Sequence, residues 1–174
     1  MPFASYPSED LNGRWMLAYS DALPQEPLRT IADVENAGMP RIPATVPGNF
    51  ELDLHAAGTI PEPFFGMNIA SLRRFEKTHV WYYRRFSAAL PPDHQAVLVF
   101  EGLDCFADIY LNGQRIGSGD NMLVEQVFPV GAALQTENEL VVHIRPALEE
   151  ARQYDYPPGL LAEKSGYEAL YVRK

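Results

Sequence analysis

The sequence predicts an all-β protein, a sandwich of antiparallel strands with two or three short helices at its ends. Nine Tyr, nine Phe and two Trp occur beside fifteen Pro and twelve Gly, which favours many short strands joined by well-defined loops. The segment 105–111 alternates in polarity, which places Cys105, Ala107, Ile109 and Leu111 on one side of a strand. Asn112-Gly113 follows at once and suits a type I′ hairpin turn, because both residues accept positive φ.

Hydrophobic patterning predicts the remaining strands. Val97 to Phe100 is an unbroken apolar run, typical of a central strand covered on both faces. In 139–145, alternation turns one set of side chains inward and leaves Val141, His143 and Arg145 outward. We therefore expect strands over residues 10–19, 80–86, 97–100, 105–111, 114–117, 124–130 and 139–145.

Capping residues predict short helices between these strands. Thr30 is suited to cap a helix over 31–37, and Asn49 one over 50–57, with a glycine ending each. A helical turn over 71–77 and a helix beginning near Pro146 complete the set. Residues 21–47 carry five prolines, so this passage is predicted to be irregular and to lie on the surface or along a sheet edge.

Length and charge exclude several classes of protein. A chain of 174 residues suits one domain with a sizeable core. Its net charge of −9 disfavours binding to nucleic acid, and no run approaches the ~18 apolar residues of a membrane span. Cys105 is the only cysteine, so no internal disulfide forms, and residues 1–13 lack the pattern of a signal peptide. These features favour a cytoplasmic location.

No motif for catalysis or for a metal is evident. Asp104 and Asp108 share one strand face, but four residues of strand separate them by roughly 13 Å, too far for a glycosidase pair. Pairs formed across the sheet remain open at this stage. The four histidines have no ligand spacing, so surface or edge positions are expected, with no metal and no cofactor.

The loop Pro61 to Asn68 is the candidate binding segment. Aromatic rings stack on the C–H faces of sugars, and carboxylate and amide groups orient hydroxyls. Glu62, Phe64, Phe65 and Asn68 supply this chemistry on a loop stiffened by two prolines. The structural alternative is that both phenylalanines pack against the end of the sandwich, or against another domain, while Asn68 caps the next helical turn.

Several segments carry a family resemblance. The segment 100–117, with FEGLD-x-FADIYLNGQRIG, is followed by the DNM of 120–122. Three further segments match in order: IPATVPG at 42–48, EPFFGMN at 62–68 and WYYR at 81–84. Together they resemble the amino-terminal sugar-binding domain of glycoside hydrolase family 2, and are most similar to its β-mannosidase branch.

The resemblance implies a jelly-roll, galactose-binding-like β-sandwich. It implies that residues 1–174 form a single amino-terminal domain of a longer enzyme, whose two catalytic glutamates lie in a downstream (α/β)8 barrel. The chain alone would then be catalytically silent, and the parent a retaining exo-β-glycosidase that acts on a terminal β-linked sugar, mannose or galactose. The domain would support the barrel and help wall the sugar pocket.

Two other functions remain open. A stand-alone carbohydrate-binding module requires an exposed aromatic platform within the chain. A structural interaction domain requires a contiguous apolar patch on one face of the sandwich.

Overall fold

The computed structural model describes residues 8–154, and within them the chain forms a two-sheet antiparallel β-structure with short helices. The helices, among these residues, are α1 (Ile31–Asn36), α2 (Phe50–Ala56), α3 (Asn68–Ser71) and α4 (Ala147–Ala151), with a 3₁₀ turn over Leu72–Phe75. The strands are β1 (Gly13–Ser20), β2 (Arg41–Val46), β3 (His79–Ser87), β4 (Val97–Phe100), β5 (Phe106–Leu111), β6 (Gln114–Gly119), β7 (Gln126–Pro129) and β8 (Glu137–Arg145).

The larger sheet has the order β2-β1-β3-β8-β5-β6, and the smaller one pairs β4 with β7. An apolar core lies on the inner face of the large sheet, where Leu17, Ile109 and Leu140 are almost fully buried and Phe128 reaches in from β7. Alternation along the antiparallel strands sends every second side chain into this core. The predicted all-β sandwich class is confirmed.

A second apolar cluster covers the outer face of the large sheet. Ile31 and Val34 of α1 pack there on Trp81, Tyr83 and neighbouring residues of the central strands. A capping box holds the helix in register, because Thr30 and Asp33 each bind the other's backbone amide. Val141 lies on the outer face of the sheet, opposite to Leu140 and Val142, as the alternation predicts. The expectation that His143 lies at the surface was wrong: both Val141 and His143 are buried, because α1 and α4 form a further layer outside β8.

The prediction for Val97–Phe100 was also wrong. This strand is not covered on both faces: Leu98 and Phe100 pack inward, whereas Val97 and Val99 are 55% and 44% exposed. Their partners in β7 are Pro129 and Val127, which are exposed as well. An apolar run therefore marks a strand without telling how many of its faces are covered.

The passage 21–47 is less irregular than predicted, since its end forms β2. Among the strands that the structure describes, β2 is an edge of the sheet and pairs only with β1, so Pro43 costs no ladder bond on its other side. The helix α2 is adjacent to β2, where the Asp53 carboxylate accepts the backbone N–H of Thr45 at 3.1 Å. The predicted caps Thr30 and Asn49 are confirmed. The sequence also predicts a loop over 156–166 and the start of a strand over 168–174, and both segments lie outside the described residues.

The predicted hairpin joins β5 to β6. Asn112 and Gly113 have φ values of 50° and 77°, as a type I′ turn requires. The Asn112 side chain also donates to the Ala133 carbonyl at 2.8 Å and accepts the Glu139 amide at 2.9 Å. The turn is thereby tied to the connection between β7 and β8.

Two aspartates at the helices are expected to respond oppositely to amidation. Burial raises the pKa of Asp53, whose second carboxylate oxygen has no hydrogen-bond partner among residues 8–154. Asp53→Asn should leave the free energy of unfolding at pH 7 unchanged or raise it by up to ~1 kcal/mol, because a buried charge is removed. Asp33→Asn should lower it by ~0.5–1 kcal/mol, because the capping box is weakened. Urea denaturation measures both, and a larger loss for Asp53→Asn would contradict this assignment.

Candidate functional site

The candidate loop, residues 61–68, connects α2 to α3 and leads towards the central strand β3. Pro63 is among the most completely buried side chains of the described residues and anchors the middle of the loop. The Phe65 amide donates to the Glu62 carbonyl at 3.2 Å, and the Asn68 amide to the Phe65 carbonyl at 3.2 Å. The loop is thus two successive turns held on a buried proline.

Glu62 is the polar centre of this loop. One carboxylate oxygen accepts the Phe64 amide at 3.2 Å, and the other lies 3.1 Å from Nε2 of His55 on α2. The Glu62 carbonyl accepts the side-chain amide of Asn68 at 2.8 Å. The structure therefore brings Glu62 and Asn68 together, but it uses these groups to shape the loop.

The aromatic side chains of the loop face solvent. Phe64, Phe65 and Met67 are 72%, 75% and 79% exposed. The two phenylalanines are therefore not packed into the end of the sandwich within the described residues. Asn68 is the first residue of α3 and does not cap it. Packing of the rings against another domain stays a prediction. Neighbouring exposed apolar side chains on a fixed loop are typical of a surface that contacts a ligand or another domain.

A shallow groove of about 400 Å³ runs beside the loop. Its apolar lining comes from Leu52 of α2, Pro63 and Phe64 of the loop, and Ile69 and Leu72 beyond it. Its polar rim carries Glu51, Arg73 and Glu76, of which the last two form an ion pair at 3.0 Å. Phe64 therefore faces the groove, whereas Phe65 is not part of its lining.

A carboxylate of β5 and one of α4 lie close to each other, but both contact an arginine. Arg145 contacts Asp108 through Nη1 and Glu150 through Nε, the latter at 2.6 Å. Arg115 adds a second contact to Asp108 at 2.6 Å. Each carboxylate is neutralised by a guanidinium, so the cluster lacks the free acid and free base that glycoside hydrolysis requires.

Two histidines that were expected at the surface are buried. His79 and His143 are 4% and 8% exposed, and Nδ1 of His79 lies 3.0 Å from Nε2 of His143. Trp81 stacks on His143 with ring centroids 4.4 Å apart, and Glu149 of α4 lies 3.4 Å from Nε2 of His79. Sequence analysis missed this cluster because the residues are 64 positions apart and only the β3–β8 register aligns them.

Burial keeps this histidine pair neutral. It lowers the pKa of His143 to about 3, with the neighbouring His79 as a further cause, and it lowers the pKa of His79 despite the nearby Glu149. One hydrogen on each ring satisfies the geometry, because His143 donates to His79 and His79 donates to Glu149. The pair is thus a structural feature of the outer layer.

Two further classes of site were searched for in the described part of the chain. Residues 8–154 contain no group of three or more His, Cys, Asp or Glu side chains that could hold a metal ion. No helix within that range is long and apolar enough to cross a membrane.

Comparison with protein families identifies the family of the chain. Residues 28–174 match the model described as glycosyl hydrolase 2 galactose-binding domain-like. The matched range includes the candidate loop, the central strands and the β5–β6 hairpin.

Individual relatives are β-mannosidases. The chain is 40% identical to β-mannosidase B of Thermothelomyces thermophilus over 55% of its own length and 12% of that protein. It is 27% identical to the β-mannosidase of Mus musculus over 97% of its length and 18% of that protein. The crystal structure of β-D-mannosidase from Dictyoglomus thermophilum superposes with a TM-score of 0.71 and 30% identity, over 94% of this chain and 19% of that one. The chain thus spans less than a fifth of the length of these proteins.

The buried histidines predict how stability depends on pH. Below the ordinary histidine pKa of about 6.5 the unfolded chain binds protons that the folded chain excludes, so stability falls as the pH is lowered. Between pH 6.5 and 5 the free energy of unfolding should fall by up to ~1.4 kcal/mol per pH unit for each such histidine. His143→Phe should give a shallower slope in urea denaturation, whereas the exposed His94→Gln should keep the original one. Parallel curves for the original chain and His143→Phe would contradict this assignment.

Proposed function

Because the chain belongs to the family of glycosyl hydrolase 2 galactose-binding domain-like domains, we propose that it is the non-catalytic amino-terminal domain of an exo-acting β-glycosidase. The enzyme is of the β-mannosidase kind, as its relatives are. Residues 1–174 form one sandwich domain of this longer protein. The domain supports the catalytic barrel and forms one wall of the pocket that takes a terminal β-linked sugar.

The observation that carries this proposal is the exposed aromatic pair on a fixed loop. Phe64 and Phe65 project into solvent while Pro63 and Glu62 hold the backbone beneath them. A fixed backbone lowers the entropy lost when a ligand or a neighbouring domain covers the rings. Phe65 and Asn68 are the side chains assigned to the sugar, whereas Phe64 lines the neighbouring groove.

The positions of the acidic side chains support a binding role for this domain, with bond cleavage by another part of the enzyme. The partly buried carboxylates Asp108 and Glu150 are neutralised by arginines, so bond cleavage is assigned to groups outside the described residues. In a retaining enzyme of this kind, two carboxyl groups about 5–5.5 Å apart act as nucleophile and acid/base. The domain then contributes binding and the exclusion of water.

A carbohydrate-binding module that acts alone is the second candidate. The same exposed phenylalanines favour it, because an aromatic platform is what such modules present to sugars. Calorimetry of the 174-residue chain with mannose and manno-oligosaccharides separates the two functions. Binding by the isolated chain supports the module, and heat only in the full-length enzyme supports the pocket wall.

Substitutions on the loop test the pocket wall in the full-length protein. Phe65→Ala and Asn68→Ala should each raise KM for an aryl β-mannoside about three- to tenfold, because one stacking or hydrogen-bonding contact is lost. The turnover number should change less than twofold, because the reacting acids lie elsewhere.

Leu123→Ala is the matched control, since Leu123 is 76% exposed on the loop between β6 and β7. Its KM should stay at the original value. Kinetics that are unchanged in Phe65→Ala and Asn68→Ala would remove the loop from the sugar site and leave the family assignment intact.

A further inference from the structure

The small sheet of β4 and β7 has an apolar outer face. Leu98 and Phe128 point into the core, so the side chains between them point away from it. We call this exposed set the outer face of the small sheet, and its members are Val97, Val99, Val127 and Pro129. An antiparallel sheet with one face in water normally carries polar side chains on that face. Here the alternation of polarity is missing, although one side is exposed.

The four side chains form one patch. Val97 is directly opposite Pro129, and Val99 is directly opposite Val127. Opposed side chains of an antiparallel pair are about 5 Å apart, so they shield one another and present a joint apolar surface. Neither strand contains a charged residue, and charges are what sheets commonly use to keep exposed strands from associating. The patch is therefore built like a surface that is covered in the working protein.

The outer face of the small sheet and the candidate loop lie on the same side of the molecule. Leu98 of β4 and Phe128 of β7 belong to the core on the inner face of the large sheet. So do Phe50 of α2 and Phe75 of the 3₁₀ turn, which precede and follow the loop. The opposite face of the large sheet is covered by α1. The small sheet and the loop thus belong to one layer, whose outward side points away from the large sheet.

Exposed apolar side chains of this layer are not limited to the small sheet. Leu52 of α2 and Ile69 of α3 are 42% and 56% exposed, beside the phenylalanines of the loop. On the other side of the molecule, Leu23 lies beside α1, in a shallow groove that Glu26 and Asp33 line as well. An apolar partner is therefore favoured on the side of the small sheet.

The length of the relatives identifies the occupant. The chain spans less than a fifth of the β-mannosidases that it matches, so most of such an enzyme lies outside these residues. The proposed function assigns the reacting carboxyl groups to that remaining part and the loop 61–68 to the sugar pocket. A catalytic part that reaches the loop approaches from the side to which the small sheet turns its outer face.

We propose that the outer face of the small sheet is the surface by which this domain docks onto the remaining part of its own enzyme. The partner surface is apolar and uncharged, and it covers Val97, Val99, Val127 and Pro129. Docking there fixes the orientation of the domain, and the loop 61–68 is thereby held at the sugar pocket. The inference rests on the proposed function for the existence of that remaining part.

Hydrogen exchange measured by mass spectrometry tests the docking directly. The 174-residue chain is compared with the full-length protein under the same conditions. The amides of 97–100 and 126–129 should exchange about tenfold more slowly, or slower still, in the full-length protein, because a covered strand opens less often. The amides of α1, on the opposite side, are the control and should exchange at similar rates in both.

A paired substitution tests the apolar character of the interface. Val99→Lys combined with Val127→Glu places opposite charges directly across the two strands. In the 174-residue chain both sites are exposed, so the urea midpoint should stay unchanged. In the full-length protein the charges would be buried against an apolar surface, and the half-life of thermal inactivation should fall about tenfold. Leu23→Lys, exposed beside α1, is the matched control and should leave both quantities unchanged.

The outcomes separate this inference from the proposed function. Equal exchange of 97–100 in both proteins overturns the docking surface, and so does a paired variant that is inactivated at the original rate. A 174-residue chain that sediments as a dimer, with this face protected in the dimer, assigns the face to a second copy and also overturns it. Protection of the small sheet together with an unchanged KM in Phe65→Ala and Asn68→Ala upholds the docking surface and contradicts the sugar-pocket wall.

Discussion

The structure depends on the burial of the central strands β3 and β8 from both sides. Val80 and Val142 pack into the core between the sheets, while Trp81 and Val141 pack into the cluster under α1. Both faces of these strands carry apolar side chains, whose exposure to water would be unfavourable. The smaller sheet covers one face, and helices cover the other. The candidate loop is separated from β3 by α3 and the 3₁₀ turn, and its own buried anchor is Pro63.

Burial distinguishes the two histidine sites. In the buried site, His143 donates to His79, which donates to Glu149, so one hydrogen on each ring suffices. At the loop, the His55 side chain is 40% exposed, and its Nε2 lies 3.1 Å from a Glu62 carboxylate oxygen. The same residue type is therefore a neutral packing element in one place and a partly exposed neighbour of the candidate loop in the other.

Local signals were enough to predict much of this fold. The caps Thr30 and Asn49, the Asn112-Gly113 turn and the alternation of 105–111 depend on neighbouring residues, and each was confirmed. The wrong predictions concern which strand faces are covered by elements that are distant in the sequence. The runs at 97–100 and 139–145 have apolar residues that do not reveal whether a second layer covers them, so one strand proved more exposed and the other more buried than predicted.

At the candidate site, too, the sequence predicted the local features but not the contacts with residues of other elements. The residue types of the loop identified Glu62, Phe64, Phe65 and Asn68 as a group, because two prolines and adjacent aromatics are visible in the sequence. That Glu62 serves the loop rather than a ligand follows from His55, which belongs to the preceding helix. Likewise, the meeting of Asp108 with Glu150 on Arg145 depends on β8 and α4 folding together, which no spacing indicates.

Because Trp81 stacks on His143, the fluorescence of Trp81 reports the protonation state of the buried histidine. An imidazolium quenches the emission of an adjacent indole more strongly than a neutral ring does, and these two rings are nearly parallel, at 6°. The other tryptophan, Trp15, lies in the opposite layer and donates its indole N–H to the Leu11 carbonyl at 2.8 Å. Protonation of His143 would therefore lower the fluorescence of Trp81, whereas the fluorescence of Trp15 would stay unchanged and serve as the reference.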